Sequence, residues 1–543
     1  MKSYKTIKKL AASCFAVLAM TGCTKLNEGL NGTLTNGQVA SSLGSTGTGL
    51  LLSAAYSDIG GPLTSQSGVF SLMENSTDES LVPTRGGDWD DNGVWRVIHA
   101  HTWNADHGQI LDVFNSLNKI NFDATNVLGF NPTPAQGAEA RFLRALALYY
   151  LLDLYGQYPI RNPGDNLLLA PTVKSGADGV AFIISELNAI LPALPATNGS
   201  SRANPDAARV LLMKCYLQKG AFTNRAAPTF DAGDMAQVIS LGNAIISSGK
   251  YGYSSNYFDN FKPGNDNSKE AIFRYDNTAG VGANSSGIGA RWNMTLHYNS
   301  WTPNNPNAGW NGFSTISDFY SSFNTTATPT AFGPADTLLD PRIGGRFYSG
   351  VTDMSGLRPG FLVNQQFNEA GVAIKDRKGA PLAYNPTIAA NMIETGANLE
   401  VTGIRVIKYP PDYTQYGGGP AGNDLMIFRY PDVVLMVAEA KQRTGDAPGA
   451  LAMVNALRAA RGTTPLAVMP LVNPSNVDDA NTLLAERGRE LYWESVRRTD
   501  LIRFGVFLKP WGLKPTDDPK NLVYPVPNQA LAANPNLKQN PGY

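Results

Sequence analysis

The sequence predicts a mainly α protein: a single large domain built from helix pairs and interrupted by long irregular loops. Three observations predict it. Phe142, Leu146 and Tyr149, with Asp153 next in register, repeat at helical spacing through Pro134–Tyr155. Two helix–turn–helix segments look alike, one running through Leu211–Lys219 and Met235–Ser248, the other through Val433–Arg443 and Ala447–Arg461. Between about Gly249 and Phe428 the periodicity fades, and Gly, Asn, Pro and Trp dominate. A stretch of that length without helical pattern inside a compact domain usually carries function.

Residues 1–22 read as a lipoprotein signal peptide. Lys2, Lys5, Lys8 and Lys9 precede an apolar run, Leu10 to Met20, which is too short to span a bilayer. Thr21 and Gly22 then lead into Cys23, the expected lipidation site, in the manner of a bacterial lipobox. Two or more acyl chains anchor a protein stably, so the membrane is expected to hold the chain through lipid alone. Residues 23–45, rich in Gly, Asn, Ser and Thr, read as the lipidated tether, and 46–543 as the helical domain. Within it the spacing predicts helices over Pro134–Tyr155, Val180–Leu191, Asn204–Lys219, Met235–Ser248, Tyr430–Arg443, Ala447–Arg461 and Thr482–Arg497, with a short turn through Asp500–Phe504. Ala438, Ala440, Ala447, Ala450 and Ala456 let the last hairpin pack closely. The pairs are tetratricopeptide-like, without a clean repeat period.

Composition excludes several classes. The 543 residues carry 44 Lys+Arg against 44 Asp+Glu, so nucleic acid is not an expected partner. Charged residues make up only 16%, where about 25% is usual. With 43% hydrophobic residues the chain is not disordered. Cys14 leaves with the signal and Cys23 carries lipid, which leaves Cys215 alone among apolar neighbours as a buried small hydrophobe. Asp88-Trp89-Asp90-Asp91-Asn92-Gly93 fits the first half of a calcium loop, but position 12 is His99 rather than Glu, and a polar turn is expected. His99-Ala100-His101 lacks the further ligands of a metal site. No metal and no cofactor are expected. Glu486, Glu490 and Glu494 could supply a glycosidase pair, yet the surrounding arginines would hold them ionised, and an ion-pair network is expected instead.

The loops carry the aromatic signal. Trp89, Trp95 and Trp103 cluster in one, and Trp292, Tyr298, Trp301 and Trp310 in another, interleaved with Asn293, Asn299, Asn304, Asn305 and Asn307. Aromatic faces beside side-chain amides suit the apolar faces and hydroxyl rims of sugars. The expected ligand contacts are Trp301 and Trp310 first, then Trp292, Tyr298, Trp89 and Arg85.

Several segments resemble the SusD/RagB-type outer-membrane nutrient-binding lipoproteins of Bacteroidetes. They are Thr77-Asp78-Glu79, Pro83 to Trp89, Glu139 to Leu146 with Tyr155-Gly156, Arg429 to Ala440, Val454 to Arg458, Glu486 to Leu491 continuing to Arg497 through Gly505, and the tail from Pro525 to Tyr543. The resemblance implies a helical scaffold with tetratricopeptide-like pairs. It also implies a non-enzymatic role: a lipid-anchored protein at the cell outer membrane that captures oligosaccharide and delivers it to a SusC-like TonB-dependent transporter. A surface glycoside hydrolase and a helical scaffold without small ligand are the alternatives.

Overall fold

The structure, a computed structural model, describes residues 36–543 except 282–286, 301–308, 324–339, 345–358, 367–371, 413, 416–419 and 478. The signal segment, Cys23 and Trp301 lie outside the described residues. The chain enters through α1 (Asn36–Asp58), which breaks at Gly44 (φ 56°) so that its continuous part begins at Ser45. It packs on α2 (Gly108–Leu128) and α3 (Pro134–Tyr155). Helices α1 and α2 are absent from the sequence-based expectation, although Ile110, Val113, Phe114, Leu117 and Ile120 give α2 a clear buried face.

Helix α3 starts on a capping box. The Thr133 hydroxyl accepts from the Gln136 N–H at 3.3 Å, and the Gln136 side chain accepts from the Thr133 N–H at 3.0 Å. It ends at Gly156, whose φ of 70° stops the helix. The helix is not amphipathic: from Ala138 to Tyr155 every residue but Arg141 is buried. Its neighbours explain this. Helices α2 and α4 (Gly176–Ile190) flank it, and the tail covers its end, with Tyr524 N–H donating to Leu154 O at 2.8 Å.

Helices α5 (Pro205–Thr223) and α6 (Ala232–Ile246) follow, each packed on its predecessor. After the loop region come α7 (Tyr430–Arg443) and α8 (Ala447–Ala460), and α7 packs against α6. The two look-alike hairpins therefore stack into one array. Gly242 permits the approach: a Cβ there would lie 2.2 Å from Val437 Cγ2. Helix α9 (Leu483–Leu491) is shorter than expected, and α10 (Arg497–Arg503) is a separate element. Between them Trp493 and Ser495 take positive φ (60° each). The buried carboxylates of Glu79 and Glu74 accept from the Trp493 and Ser495 N–H groups at 3.0 and 2.5 Å, taking donors that a continuing helix would use.

The region between α6 and α7 is closed at its base by strands Ala271–Tyr275 and Leu425–Arg429, paired antiparallel. Further out, Gly360–Leu362 pairs with Arg405–Ile407, and Thr84–Arg85 pairs in parallel with Ile393–Glu394. This region shares the core of the helices. Phe323 and Phe361 lie tilted 4.9 Å apart, and Phe361 reaches Tyr492 at 5.1 Å.

Helix α9 carries a buried lattice of charge. Glu490 binds Arg461 (2.7 Å), Arg429 (3.0 Å) and Arg342 (3.1 Å). Glu486 binds Arg458 (2.6 Å), Arg342 (2.8 Å) and Arg489 (2.8 Å). Glu270 joins Arg429 and Arg461 at 2.7 and 2.9 Å, and Glu494 joins Arg429 and Lys408, each at 2.6 Å. Burial alone would raise the Glu490 pKa, but Arg461 and Arg429 hold it at about 2. Arg503 and Arg443 do the same for Glu439, also held at about 2.

Removing one partner of such a lattice leaves buried charge uncompensated, which costs about 3–5 kcal/mol. Glu490→Ala is therefore expected to lower the free energy of unfolding by about that amount in denaturant titration. Because Glu490 and Glu439 ionise at lower pH in the fold than in the unfolded chain, they stabilise the fold above the ordinary carboxylate pKa of about 4.5. That contribution is lost as pH falls through their folded value near 2. In a thermal melt series the loss of these two contributions should appear as a fall below about pH 4.5, and Glu439→Gln should flatten part of that fall.

Candidate functional site

The site forms where the segment 84–96 meets residues 297–300 and 309–313 and the loop at 374–405. The chain turns tightly after Thr84–Arg85: Arg85 N–H donates to Asp88 O (2.9 Å), Asp88 N–H donates to Arg85 O (3.2 Å), and Gly86 has φ 69°. Trp89 follows at φ 59°, a conformation that costs a bulky residue about 1–3 kcal/mol. Its surroundings hold it there. The indole N–H donates to Trp310 O at 2.8 Å, and the ring packs edge-on against Phe313 (5.3 Å) and Trp95 (5.7 Å). Gly312 makes room: a Cβ there would sit 2.3 Å from the indole. Beside Trp310, Asn311 also takes positive φ (53°), and its side-chain oxygen accepts from Arg405 at 2.8 Å. Strain held by surroundings in this way is a mark of functional sites.

Tyr298 lies half-buried on the facing loop, and its hydroxyl donates to the Asp88 carboxylate. The Arg377 guanidinium lies over its ring, with Cζ 3.8 Å from the centroid, and His297 packs at 5.3 Å. Glu400 joins these groups. It meets His297 Nε2 at 2.8 Å, Arg377 Nε at 2.7 Å and the Arg377 backbone N–H at 3.1 Å. Burial lowers the His297 pKa to about 4 against the pull of Glu400, so the ring is neutral at neutral pH. Its Nδ1 accepts from the Asn299 N–H at 3.0 Å, so Nε2 carries the proton that Glu400 receives. The Asn299 side chain donates to Lys375 O at 2.8 Å and ties the two loops together.

The structure separates the expected contacts. Trp310, Tyr298 and Trp89 come together, all half-buried, with Trp89 and Trp310 ring centroids 6.5 Å apart. Trp292 does not join them: it is 2% exposed and belongs to the core. Arg85 is equally buried and spends its donors on Thr402 Oγ1 (2.9 Å), Thr402 O (2.7 Å) and Ser314 Oγ (3.3 Å). Both were expected to face ligand, and burial leaves neither a face to present. Gly/Asn/Pro-rich loops proved able to build core. Arg377 and Glu400 were missed; in sequence Arg377 stands in a polar turn that carries no signal. Trp301 remains outside the described residues.

The calcium-like segment spends its carboxylates on protein donors: Asp88 on Tyr298, Asp90 on Arg96 (3.2 Å) and Asp91 on the Trp95 indole (2.7 Å). His99 and His101 bond to backbone carbonyls and, for His101, to Asp517. Among the described residues, the acidic side chains close enough to share a cation are Asp266, Asp276 and Asp424, and Arg274 already pairs with all three. Among the described residues, pockets lie inside the fold beside Tyr149, Lys214 and Asp500, and in a groove by Phe122 and Ile160. The aromatic mouth offers half-buried rings that can stack on a ring and polar neighbours that can hydrogen-bond its rim.

Comparison with known proteins places these features. Residues 269–518 match the model of the SusD family. The chain is 26% identical to the starch-binding protein SusD of Bacteroides thetaiotaomicron over 507 residues, covering 87% of this chain and 85% of that protein. Its fold is similar to that of a SusD-like protein from Bacteroides fragilis (TM-score 0.68, 20% identity, 92% of this chain and 97% of that one). A laminarin-binding SusD-like protein is also similar (TM-score 0.65, 20% identity, 92% and 99% covered).

Arg85 supports this site from below. Arg85→Ala is expected to destabilise the protein by about 1–3 kcal/mol through unsatisfied buried acceptors. Ligand affinity per folded molecule should stay within about twofold of wild type; denaturant titration beside calorimetry checks both.

Proposed function

We propose that the chain is a SusD-family protein, a cell-surface glycan-binding lipoprotein that hands oligosaccharide to a SusC-like TonB-dependent outer-membrane transporter. The observation that carries the binding role is the half-buried pair of Trp310 and Trp89, joined through the Trp89 indole, with half-buried Tyr298 tied to the neighbouring Asp88 and with Asn299 and Arg377 beside it. Stacking supplies affinity, and the polar rim reads hydroxyls. Trp301 stays a candidate through its place in the sequence between Tyr298 and Trp310. Delivery to a transporter rests on the family resemblance. Anchoring rests on the signal segment and Cys23, and among the described residues no helix is long and apolar enough to cross a membrane.

A hydrolase reading finds no support in the carboxylates. Glu486 and Glu490 are fully buried and held well below the usual range by the arginines around them, whereas a general acid needs a raised pKa. Glu74 is raised by burial to about 8, but it is sealed in the core against Ser495.

Maltooligosaccharides and laminarioligosaccharides are the first probes, given the named ligands of the two relatives. For any probe that the wild type binds, Trp310→Ala should weaken affinity about tenfold or more in calorimetry, in line with about 1–3 kcal/mol for a lost stacking platform. Wild-type affinity in a folded Trp310→Ala variant would move the site elsewhere. Cys23→Ala should release the protein from the membrane fraction, and retention through an alkaline wash would overturn the anchor.

A further inference from the structure

The Arg377 guanidinium occupies the position a sugar would take on Tyr298. Its Cζ lies 3.8 Å from the ring centroid, which is contact distance, so nothing fits between them. Buried His297 meets the same ring edge-on, with centroids 5.3 Å apart. On the face that Arg377 covers, the guanidinium is the layer a ligand would meet.

We propose that Arg377, rather than the Tyr298 ring beneath it, is the ligand-contacting surface on this side of the mouth. Its two terminal nitrogens donate, in the plane of the guanidinium, to a pair of adjacent oxygens on a sugar beside it, vicinal hydroxyls or a carboxylate. This deepens the glycan-binding reading and rests on it.

The geometry fits the role. Glu400 takes the Arg377 Nε and the Arg377 backbone N–H, which anchors the inner edge of the guanidinium. Among the described residues, neither Nη has a protein acceptor. The side chain is 46% exposed. The mounting is stiff: His297 holds Glu400 from the far side, and Asn299 holds the backbone at Lys375. A planar fork held by its Nε edge recognises paired acceptors, which a lysine ammonium does not. Charge around the mouth does not choose between the two oxygen sources. Lys375 and Lys378 are exposed on the same turn, but Asp88, Asp90 and Asp91 stand opposite. In this arrangement Tyr298 and Glu400 are positioning residues, and Arg377 touches the ligand.

The test uses the full chain carrying Cys23→Ala, with calorimetry against maltoheptaose, laminarihexaose and an oligogalacturonate, and a melting curve for each variant. Arg377→Ala and Arg377→Lys are both expected to weaken binding about tenfold or more, since lysine restores charge but not the fork. Arg377→Gln guards against misfolding of the alanine variant and should give an intermediate loss. Tyr298→Phe keeps the platform and loses only the bond to Asp88, so its effect should be smaller than that of Arg377→Ala. If the recognised pair is a carboxylate, oligogalacturonate affinity falls with added salt; if hydroxyls, the neutral probes bind with little salt dependence. Wild-type or tighter binding by Arg377→Ala, with Trp310→Ala still defective, overturns the inference and leaves the glycan site standing. Wild-type binding by both variants, or no binding of any probe by the parent chain, overturns both.

Discussion

The structure depends on paired charge buried at the root of its loop region. Arg429 stands where the strand Leu425–Arg429 passes into α7, and Glu270 directly precedes the strand to which it is paired. Arg342 reaches in from the outer loops, Arg458 and Arg461 from the end of α8, and Glu486 and Glu490 from α9. None of these charges could be buried alone, since desolvating a single one costs several kcal/mol. Each carboxylate therefore requires its arginines, and the arginines belong to different elements. Helical array and loop region are committed to one relative geometry, because separating them would strand charge in the core.

This explains a composition that looked merely weak in charge. Few residues are charged, and a large share of them work inside. The floor of the aromatic mouth uses a different solution. Arg85 and Arg405 are buried near each other, and burial lowers the pKa of both. Neutral oxygens hold them: Thr402 and Ser314 for Arg85, Asn311 and the Glu400 backbone for Arg405, whose guanidinium also lies over the Tyr384 ring at 4.8 Å. Hydrogen bonds to fixed neutral acceptors orient these groups and so fix the two loops that supply the acceptors.

Sequence reasoning reached the helices where local signals agree. Pro134–Tyr155 and Tyr430–Arg443 have the bounds that periodicity, proline placement and terminal glycine or polar residues gave them. It failed where a distant group decides. The run after Thr482 reads as one helix until Glu74 and Glu79, far away in sequence, capture the backbone donors at Trp493 and Ser495. Trp292 and Trp310 share a composition and a neighbourhood, yet one is core and the other lines the mouth, a difference set by which loop covers which. Arg377 gives no sequence signal because its role exists only in contact with Tyr298 and Glu400. The missed α2 is a different case, since its periodicity was there to be read.

Rigid support and partial exposure are two halves of one requirement. Half-exposed rings make contacts that are each worth little, so affinity at such a surface survives only if few degrees of freedom are lost on binding. Trp89 and Asn311 hold backbone conformations that cost energy in isolation, and they stay there because an indole hydrogen bond, edge-packed rings and a buried guanidinium fix them. The strain is thus accepted before ligand arrives, drawing on the stability that the charge lattice and the aromatic core provide. A site so prepared can afford modest affinity if it is tethered beside the machinery it serves, where effective concentration does the remainder. On this view the buried charges at α9 and the half-exposed rings at the mouth are linked: weakening the first would loosen the loops that make the second selective.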